Sequence, residues 1–185
     1  MKAIFLYLFL FSVCNVNSQA IRSARILEIK NYVKEKNYNQ NIAFFLDFKI
    51  PSNKFRFFIF DLKKEKILEK GLVAHGSGSV ISNSEKLRFS NLERSYQSSL
   101  GKYAISNKYF GTFGWSYRLK GLEKSNSNAL KRAIVMHALS CVKDSESSGK
   151  TCLSLGCPML SEAFFLTAAK YIDASKKPII LYAYY

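Results

Sequence analysis

The sequence predicts a mainly β fold with a few helices. Apolar side chains alternate along residues 42–50, which is the two-residue period of a strand with one buried face. Two further strand-like segments follow at residues 57–62 and 66–75, and turn residues separate them. Three consecutive strands joined by short turns indicate an antiparallel meander.

The other elements follow in chain order. Residues 22–37 predict a surface helix, because Ile26, Ile29 and Val33 recur at helical spacing among charged residues. Residues 76–100 are rich in Ser and Asn and are long for a connection, which favours a functional loop. Beyond this loop the pattern predicts short strands at 102–106, 116–122 and 133–139, an amphipathic helix over 160–171, and an apolar strand at 179–185, central in a sheet.

The first 20 residues have the pattern of an export signal. Lys2 supplies the positive end, residues 4–13 are apolar, and the small residues Ser18 and Ala20 suit cleavage. The apolar run is too short to span a bilayer comfortably, so we expect no stable membrane insertion after cleavage. We therefore expect an exported bacterial protein, located in the periplasm, in the cell envelope or outside the cell.

Size and charge narrow the range of partners. The 185 residues are 48% hydrophobic, which suits one globular domain with a sizeable core. The formal net charge of +15 favours polyanionic partners such as wall polymers or anionic lipid. Export, together with the lack of a nucleic-acid-binding motif, argues against nucleic acid. We expect a monomer.

Three cysteines remain once Cys14 is removed with the signal. In an oxidising compartment an odd number leaves at least one thiol unpaired, or paired between molecules. A disulfide between Cys141 and Cys152 would leave Cys157 free. Geometry decides such a pairing, so the sequence alone leaves it open.

The segment from Ser154 to Pro158 is the best candidate for chemistry. Gly156 permits close approach of a backbone or a substrate to the Cys157 thiol. Pro158 suits the first turn of a helix, where the helix dipole would lower the pKa of the thiol. Because Pro158 has no N–H, the amides of Cys157, Gly156 or Leu155 would have to bind an oxyanion.

A thiol nucleophile needs a base, and the mature chain offers His75 and His137. His137 ends an apolar run, so we expect it at the end of a rigid strand, which suits a general base. Taken alone, these residue types also fit a small buried cysteine and a core histidine.

Several motifs resemble the L,D-transpeptidase catalytic domain family (YkuD-like), in the branch that has Gly-Cys-Pro at the nucleophile. His137 and, 17 positions later (137 to 154), Ser154-Leu155-Gly156-Cys157 resemble the family signature of a His, a spacer and Ser/Thr-x-Gly-Cys. His75-Gly76 resembles the opening motif of the branch, and Ser99-Leu100-Gly101 resembles the turn into the next strand. The resemblance covers about residues 40–185 and includes the stretches 121–123, 126–128 and 132–137.

The resemblance implies a fold and a layout. The fold is an L,D-transpeptidase-type β-sandwich or mixed sheet with a helix following the catalytic cysteine. The layout is a signal peptide at 1–20, a helical lead-in at 21–40 and a catalytic domain at 41–185.

The resemblance also implies a murein (peptidoglycan) L,D-transpeptidase that acts on stem peptides without a cofactor. His137 would deprotonate Cys157, and a thioester resolved by an amine would give a 3→3 cross-link. Ser154, Leu155 and Gly156 would orient the reacting carbonyl or bind its oxyanion. The implied substrate-binding residues are His75, Gly76, Ser99, Gly101 and Arg118.

Two positions depart from the family pattern. Ala138 stands where many members have Ser or Thr after the catalytic histidine. Met159 stands where many have Arg or Asn two residues after the cysteine, which puts recognition of the donor carboxylate by that residue in doubt.

Three alternatives stay open at this point. The same thioester would serve an L,D-carboxypeptidase or another peptidoglycan peptidase if water resolved it. A non-catalytic, basic wall-binding module would leave Cys157 inert. A zinc site would use His75, His137, Cys152 and Cys157, but no Cys-x-x-Cys spacing supports it, and we predict no metal.

Overall fold

The computed structural model describes residues 21–185, and this part of the chain contains eight strands and two α-helices. The predicted signal, residues 1–20, lies outside this part, and cleavage there stays a prediction. In chain order the elements are α1 (Ser23–Glu35), β1 (Ile42–Asp47), β2 (Phe57–Asp61), β3 (Lys66–Gly71), β4 (Gly101–Gly111), β5 (Gly114–Gly121), β6 (Val135–Ala138), β7 (Met159–Leu160), α2 (Glu162–Asp173) and β8 (Ile180–Tyr184).

All eight strands belong to one mixed sheet in the order β3-β2-β1-β8-β4-β5-β6-β7. The pairs β1–β8 and β6–β7 are parallel, and the other pairs are antiparallel. Val73, two residues after β3, forms a bridge with Leu160 of β7, so the two edges of the sheet come together. The predicted mainly β class and mixed sheet are confirmed, as is the central position of the closing strand.

The two helices cover opposite faces of the sheet. Ile29 of α1 packs in one core cluster with Phe45, whereas Phe164 of α2 packs in another with Phe44. Strand β1 is therefore buried on both faces, and the expectation of a half-buried strand was wrong. The alternation along residues 42–50 did not show that Ala43 and Phe45 also face a core, because α1 supplies that second layer.

Helix α2 begins later than the sequence indicated. Its first residue is Glu162, and the side chain of Ser161 caps it by accepting a hydrogen bond from the Phe164 amide at 3.2 Å. Strand β7 therefore lies between Cys157 and the helix. The predicted helix start at Pro158 was wrong, because pairing with β6 extends the chain there instead.

The loop at residues 76–100 contains a short 3₁₀ turn, Ser77–Ser79, and otherwise irregular backbone. Serine side chains hold it together: Ser98 Oγ accepts from the Gly76 amide at 3.0 Å, and Ser79 Oγ accepts from the Ser98 amide at 2.9 Å. Within residues 21–185, no helix is both long enough and apolar enough to cross a membrane.

We expect Phe44→Ala to lower the free energy of unfolding by about 3–5 kcal/mol, since Phe44 is fully buried between β1 and α2. Urea denaturation measures the loss. Phe110→Ala is the matched control: its side chain is 71% exposed, so its change should stay within about 0.5 kcal/mol. Equal losses for the two variants would contradict this description of the core.

Candidate active site

The parallel pair β6–β7 brings the segment just before β7, which contains Cys157, alongside β6, which contains His137. His137 lies opposite Met159 in the register, which places Cys157 beside Val135, two residues before the histidine. The Val135 amide donates to Cys157 Sγ at 3.5 Å. Residues 135 and 137 face the same side of β6, so Val135, the residue that contacts the thiol, is one two-residue repeat, ~7 Å, from His137 along the strand.

The Cys157 thiol is free and partly buried. Burial raises its pKa, while the hydrogen bond from Val135 and the positive charge of Arg132 act in the opposite direction. The expected helix-dipole effect is absent, because four residues (158–161) lie between Cys157 and the start of α2 at Glu162. The thiol is therefore protonated at neutral pH in the free protein.

His137 is the third residue of β6, as predicted, and is 1% exposed. Its Nδ1 lies 3.0 Å from the Ala138 carbonyl oxygen, an acceptor, so Nδ1 carries the proton and Nε2 keeps a lone pair. Burial lowers the pKa of His137, and the bond to Ala138 offsets this only in part. Within residues 21–185 no hydrogen bond joins His137 to Cys157, and the shifts in their pKa values leave both groups uncharged at neutral pH.

Phe113 covers the imidazole. Its ring stacks on His137 with centroids 4.3 Å apart and planes 18° apart, and half of the Phe113 side chain is exposed. Phe113 lies in the turn between β4 and β5. The sequence analysis missed this residue, since nothing in the pattern links the hairpin turn to the histidine.

The backbone around the cysteine is shaped by Gly156. Its φ is +120°, and a Cβ there would lie 3.0 Å from the Gln97 carbonyl oxygen, so the predicted close approach of another backbone is confirmed. Ser154 Oγ donates to the Cys157 carbonyl at 2.7 Å and accepts from the Gly156 amide at 3.1 Å. The Gly156 amide is thereby occupied. Among the described residues, the amides of Leu155 and Cys157 have no partner and remain available to an oxyanion.

Arg132 is a second residue that the sequence analysis did not assign. Its guanidinium donates to the carbonyls of Ser90, at 2.8 Å, and of Gln97, and to Ser99 Oγ at 3.2 Å. It therefore ties the 76–100 loop to β6 and places a positive charge near Cys157. No local pattern in the sequence indicated these contacts, since their partners lie 33 to 42 positions away.

His75 and Gly76 lie beside the nucleophile segment, residues 154–158. The Ser154 amide donates to the His75 carbonyl at 2.9 Å, and the Ser77 amide donates to the Ser154 carbonyl at 2.7 Å. Gly76 lies against the backbone of Tyr96, where a Cβ would be 2.1 Å from the carbonyl oxygen. The opening motif thus borders the nucleophile segment.

The other predicted substrate-binding residues occupy different surroundings. Ser99 is buried, with its hydroxyl 2.7 Å from that of Tyr103. Gly101 opens β4 and packs against the turn at 123–126. Arg118 is exposed on β5 opposite Val135, on the strand next to His137. Their contact with a substrate stays a prediction.

The structure contains the disulfide Cys141–Cys152, with Cα atoms 6.0 Å apart. It closes the segment that leads from β6 back to Ser154. Because Cys152 is bonded to Cys141, its thiolate is not available to a zinc ion. Within residues 21–185, no group of three or more His, Cys, Asp or Glu side chains is placed to hold a metal.

We expect iodoacetamide to alkylate Cys157 slowly at neutral pH and faster as the pH rises, with a midpoint above ~8.5, since only the thiolate reacts and burial raises its pKa. Rates measured by peptide mass spectrometry test this, with Cys157→Ser as the unlabelled control. A midpoint well below ~8.5 would mean that the thiolate is stabilised in the free protein.

Replacing both Cys141 and Cys152 by serine should lower the free energy of unfolding by about 3 kcal/mol, the usual effect of closing a loop of this length. Urea denaturation measures the loss. Dithiothreitol should destabilise the parent protein by a similar amount and leave the double variant unchanged. A parent protein that is indifferent to the reductant would contradict the pairing.

Comparisons with known proteins identify the family of this chain. The sequence model of the L,D-transpeptidase catalytic domain matches residues 14–184. Among curated protein sequences, none matches significantly.

Solved structures show weaker similarity. They include an L,D-transpeptidase from Xylanimonas cellulosilytica (11% identity, TM-score 0.41, 84% of this chain and 69% of that chain). The helical cell shape determining protein Pgp2 from Campylobacter jejuni gives 11% identity and a TM-score of 0.47, over 83% of this chain and 54% of that chain. An L,D-transpeptidase from Mycobacterium tuberculosis gives 13% identity and a TM-score of 0.39, over 78% of this chain and 58% of that chain. This chain spans little more than half of the last two proteins. The family match extends over most of the sequence, and the chain therefore belongs to the L,D-transpeptidase catalytic domain family.

Proposed function

We propose that the protein is a peptidoglycan L,D-transpeptidase that uses Cys157 as its nucleophile and His137 as its base. The single observation that carries the proposal is the β6–β7 pairing, whose register brings the free Cys157 thiol against Val135, two residues along β6 from the buried, neutral imidazole of His137. The family match supports the reaction class. We further propose that the protein is exported and acts as a monomer on the cell wall.

The first half of the reaction forms a thioester. His137 Nε2 takes the proton of Cys157 Sγ as the sulfur attacks the carbonyl between the third stem residue and the terminal D-alanine. The C–N bond breaks, the proton passes from His137 to the departing amine, and D-alanine leaves. Because both groups are neutral beforehand, proton transfer accompanies the attack and no thiolate has to form in advance.

The negative charge that develops on the carbonyl oxygen needs donors. The amides of Leu155 and Cys157 are suited to this role because neither has a partner among the described residues. Ser154 holds the segment in shape through its two bonds, to the Gly156 amide and the Cys157 carbonyl. Preorganised amides of this kind need no rearrangement as the charge develops.

The second half of the reaction releases the acyl group. A side-chain amine of another stem attacks the thioester, and His137 accepts the proton of the amine. The C–S bond breaks, His137 passes the proton to the Cys157 sulfur, and the new amide is the 3→3 cross-link. Water in place of the amine would give a tripeptide, which is the carboxypeptidase outcome.

Incubation with tetrapeptide muropeptides followed by mass spectrometry tests the proposal. We expect cross-linked dimers from the parent protein, and neither dimers nor a thioester adduct from Cys157→Ser. For His137→Gln we expect a rate of dimer formation lower by about 10²-fold or more, because the base is lost.

The pH profile of the parent protein adds a check on the base. The value of kcat/KM should rise through a pKa below ~6.5, where His137 loses its proton, and then stay level through neutral pH. Tripeptide and D-alanine without dimers would reassign the enzyme as a carboxypeptidase. Turnover that survives Cys157→Ser would overturn the mechanism.

A further inference from the structure

A cavity of about 270 Å³ lies next to the nucleophile segment, and neither Cys157 nor His137 lines it. The turn after β1 (residues 48–53), His75, the loop at 80–87 and residues 150–153 enclose it. Leu153, which lines the cavity, directly precedes Ser154. The cavity wall therefore includes a residue four positions before Cys157 in the chain.

The cavity wall contains a buried arginine. Arg56 is 1% exposed; its Nε and Nη2 donate to the Val73 carbonyl at 3.0 and 2.7 Å, and its Nη1 donates to the Ile50 carbonyl at 3.2 Å. Among the described residues Arg56 forms no ion pair with a carboxylate. Burial lowers its pKa to about 9, and the charge of Asp47 counters this only in part, so the guanidinium stays charged at neutral pH.

Arg56 also fixes the tautomer of His75. Arg56 Nη2 lies 2.9 Å from His75 Nδ1, and a guanidinium only donates, so Nδ1 accepts and the proton is on Nε2. Burial and the charges of Arg56 and Lys150 lower the pKa of His75 to about 4, which keeps the ring neutral. Its side chain lines the cavity, and Nε2–H has no partner among the described residues.

The charged groups facing the cavity are mostly positive. Three cations, Lys49, Arg56 and Lys150, line it with one carboxylate, Glu85. Glu85 lies 3.6 Å from Lys150 in a pair whose side chains are both largely exposed, so it does little to neutralise the buried guanidinium. A buried cation, a directed N–H donor and an exposed lysine together suit a small anion with planar oxygens, such as a carboxylate.

We propose that this cavity binds a carboxylate group of the peptide substrate, with the His75 Nε2–H and the Arg56 guanidinium on its inner wall and Lys150 at its mouth. The peptide identity of the ligand rests on the proposed function, whereas the carboxylate site itself does not. Folding has already removed Arg56 from water, so an incoming anion gains its attraction without a further desolvation of that cation.

Acetate, a plain carboxylate, and acetamide, its neutral analogue, test the site directly. NMR of the imidazole nitrogens of His75 in the full-length protein should show a saturable shift with acetate and none with acetamide. Lys150→Gln should weaken acetate binding by about threefold or more, whereas Lys34→Gln, an equal change of charge on the exposed side of α1, should leave it unchanged. Equal shifts from both probes, no shift from either, or equal effects of the two lysine variants would overturn the carboxylate site.

A second titration identifies the source of the carboxylate. In a Cys157→Ala background, which cannot form a thioester, a stem tetrapeptide should move the same His75 signals and bind about tenfold or more tightly than the same peptide with every carboxylate amidated. Equal affinities, or binding that leaves His75 unmoved, would overturn the assignment to the peptide. Failure of the proposed function reads out separately, as an absence of turnover by the parent protein, and does not affect the acetate result.

Discussion

The parallel pairing of β6 with β7 is the constraint on which the rest of the site depends. It is only two residues long, yet its register sets Cys157 beside Val135 and two residues short of His137. A second contact supports it from the opposite edge, where the Ala74 amide donates to the Met159 carbonyl at 2.9 Å. Strand β7 thus has hydrogen-bonded partners on both sides: β6 on one side and the segment after β3 on the other. A parallel pair also needs a long crossover, and the disulfide-closed segment is part of that connection.

Burial determines the protonation states of the candidate catalytic groups and of the groups in the cavity wall. It raises the pKa of the Cys157 thiol and lowers that of His137, so neither group is charged before a substrate arrives. On the cavity side, burial leaves Arg56 charged and His75 neutral, with the His75 proton directed away from the arginine. Arg56, the most deeply buried cation among the described residues, therefore lies in the cavity wall, whereas Cys157 and His137 do not line that cavity.

Much of the fold and part of the site followed from the sequence. The strand period, the α1 spacing and the apolar closing segment predicted elements that the structure contains, because the spacing of apolar residues along an element shows which of its faces is buried, whatever covers that face. The helix start at Pro158 was wrong, since the propensity of one proline gave way to strand pairing with β6. Contacts across the fold left no local signal: Phe113 on His137, Arg132 beside the thiol and Arg56 on His75 all join residues that are distant in sequence.

The segment closed by Cys141 and Cys152 also contributes Lys150 and Thr151 to the wall of the cavity that Arg56 and His75 line. The Phe55 amide donates to Glu146 at 2.8 Å, Asn53 donates to the Ser147 carbonyl at 2.6 Å, and Thr151 Oγ1 donates to the Ser52 carbonyl at 2.6 Å. These bonds attach the segment to the turn after β1 without any covalent link. The disulfide adds a covalent constraint within the segment itself, so the position of this part of the cavity wall depends on a bond that only an oxidising compartment maintains.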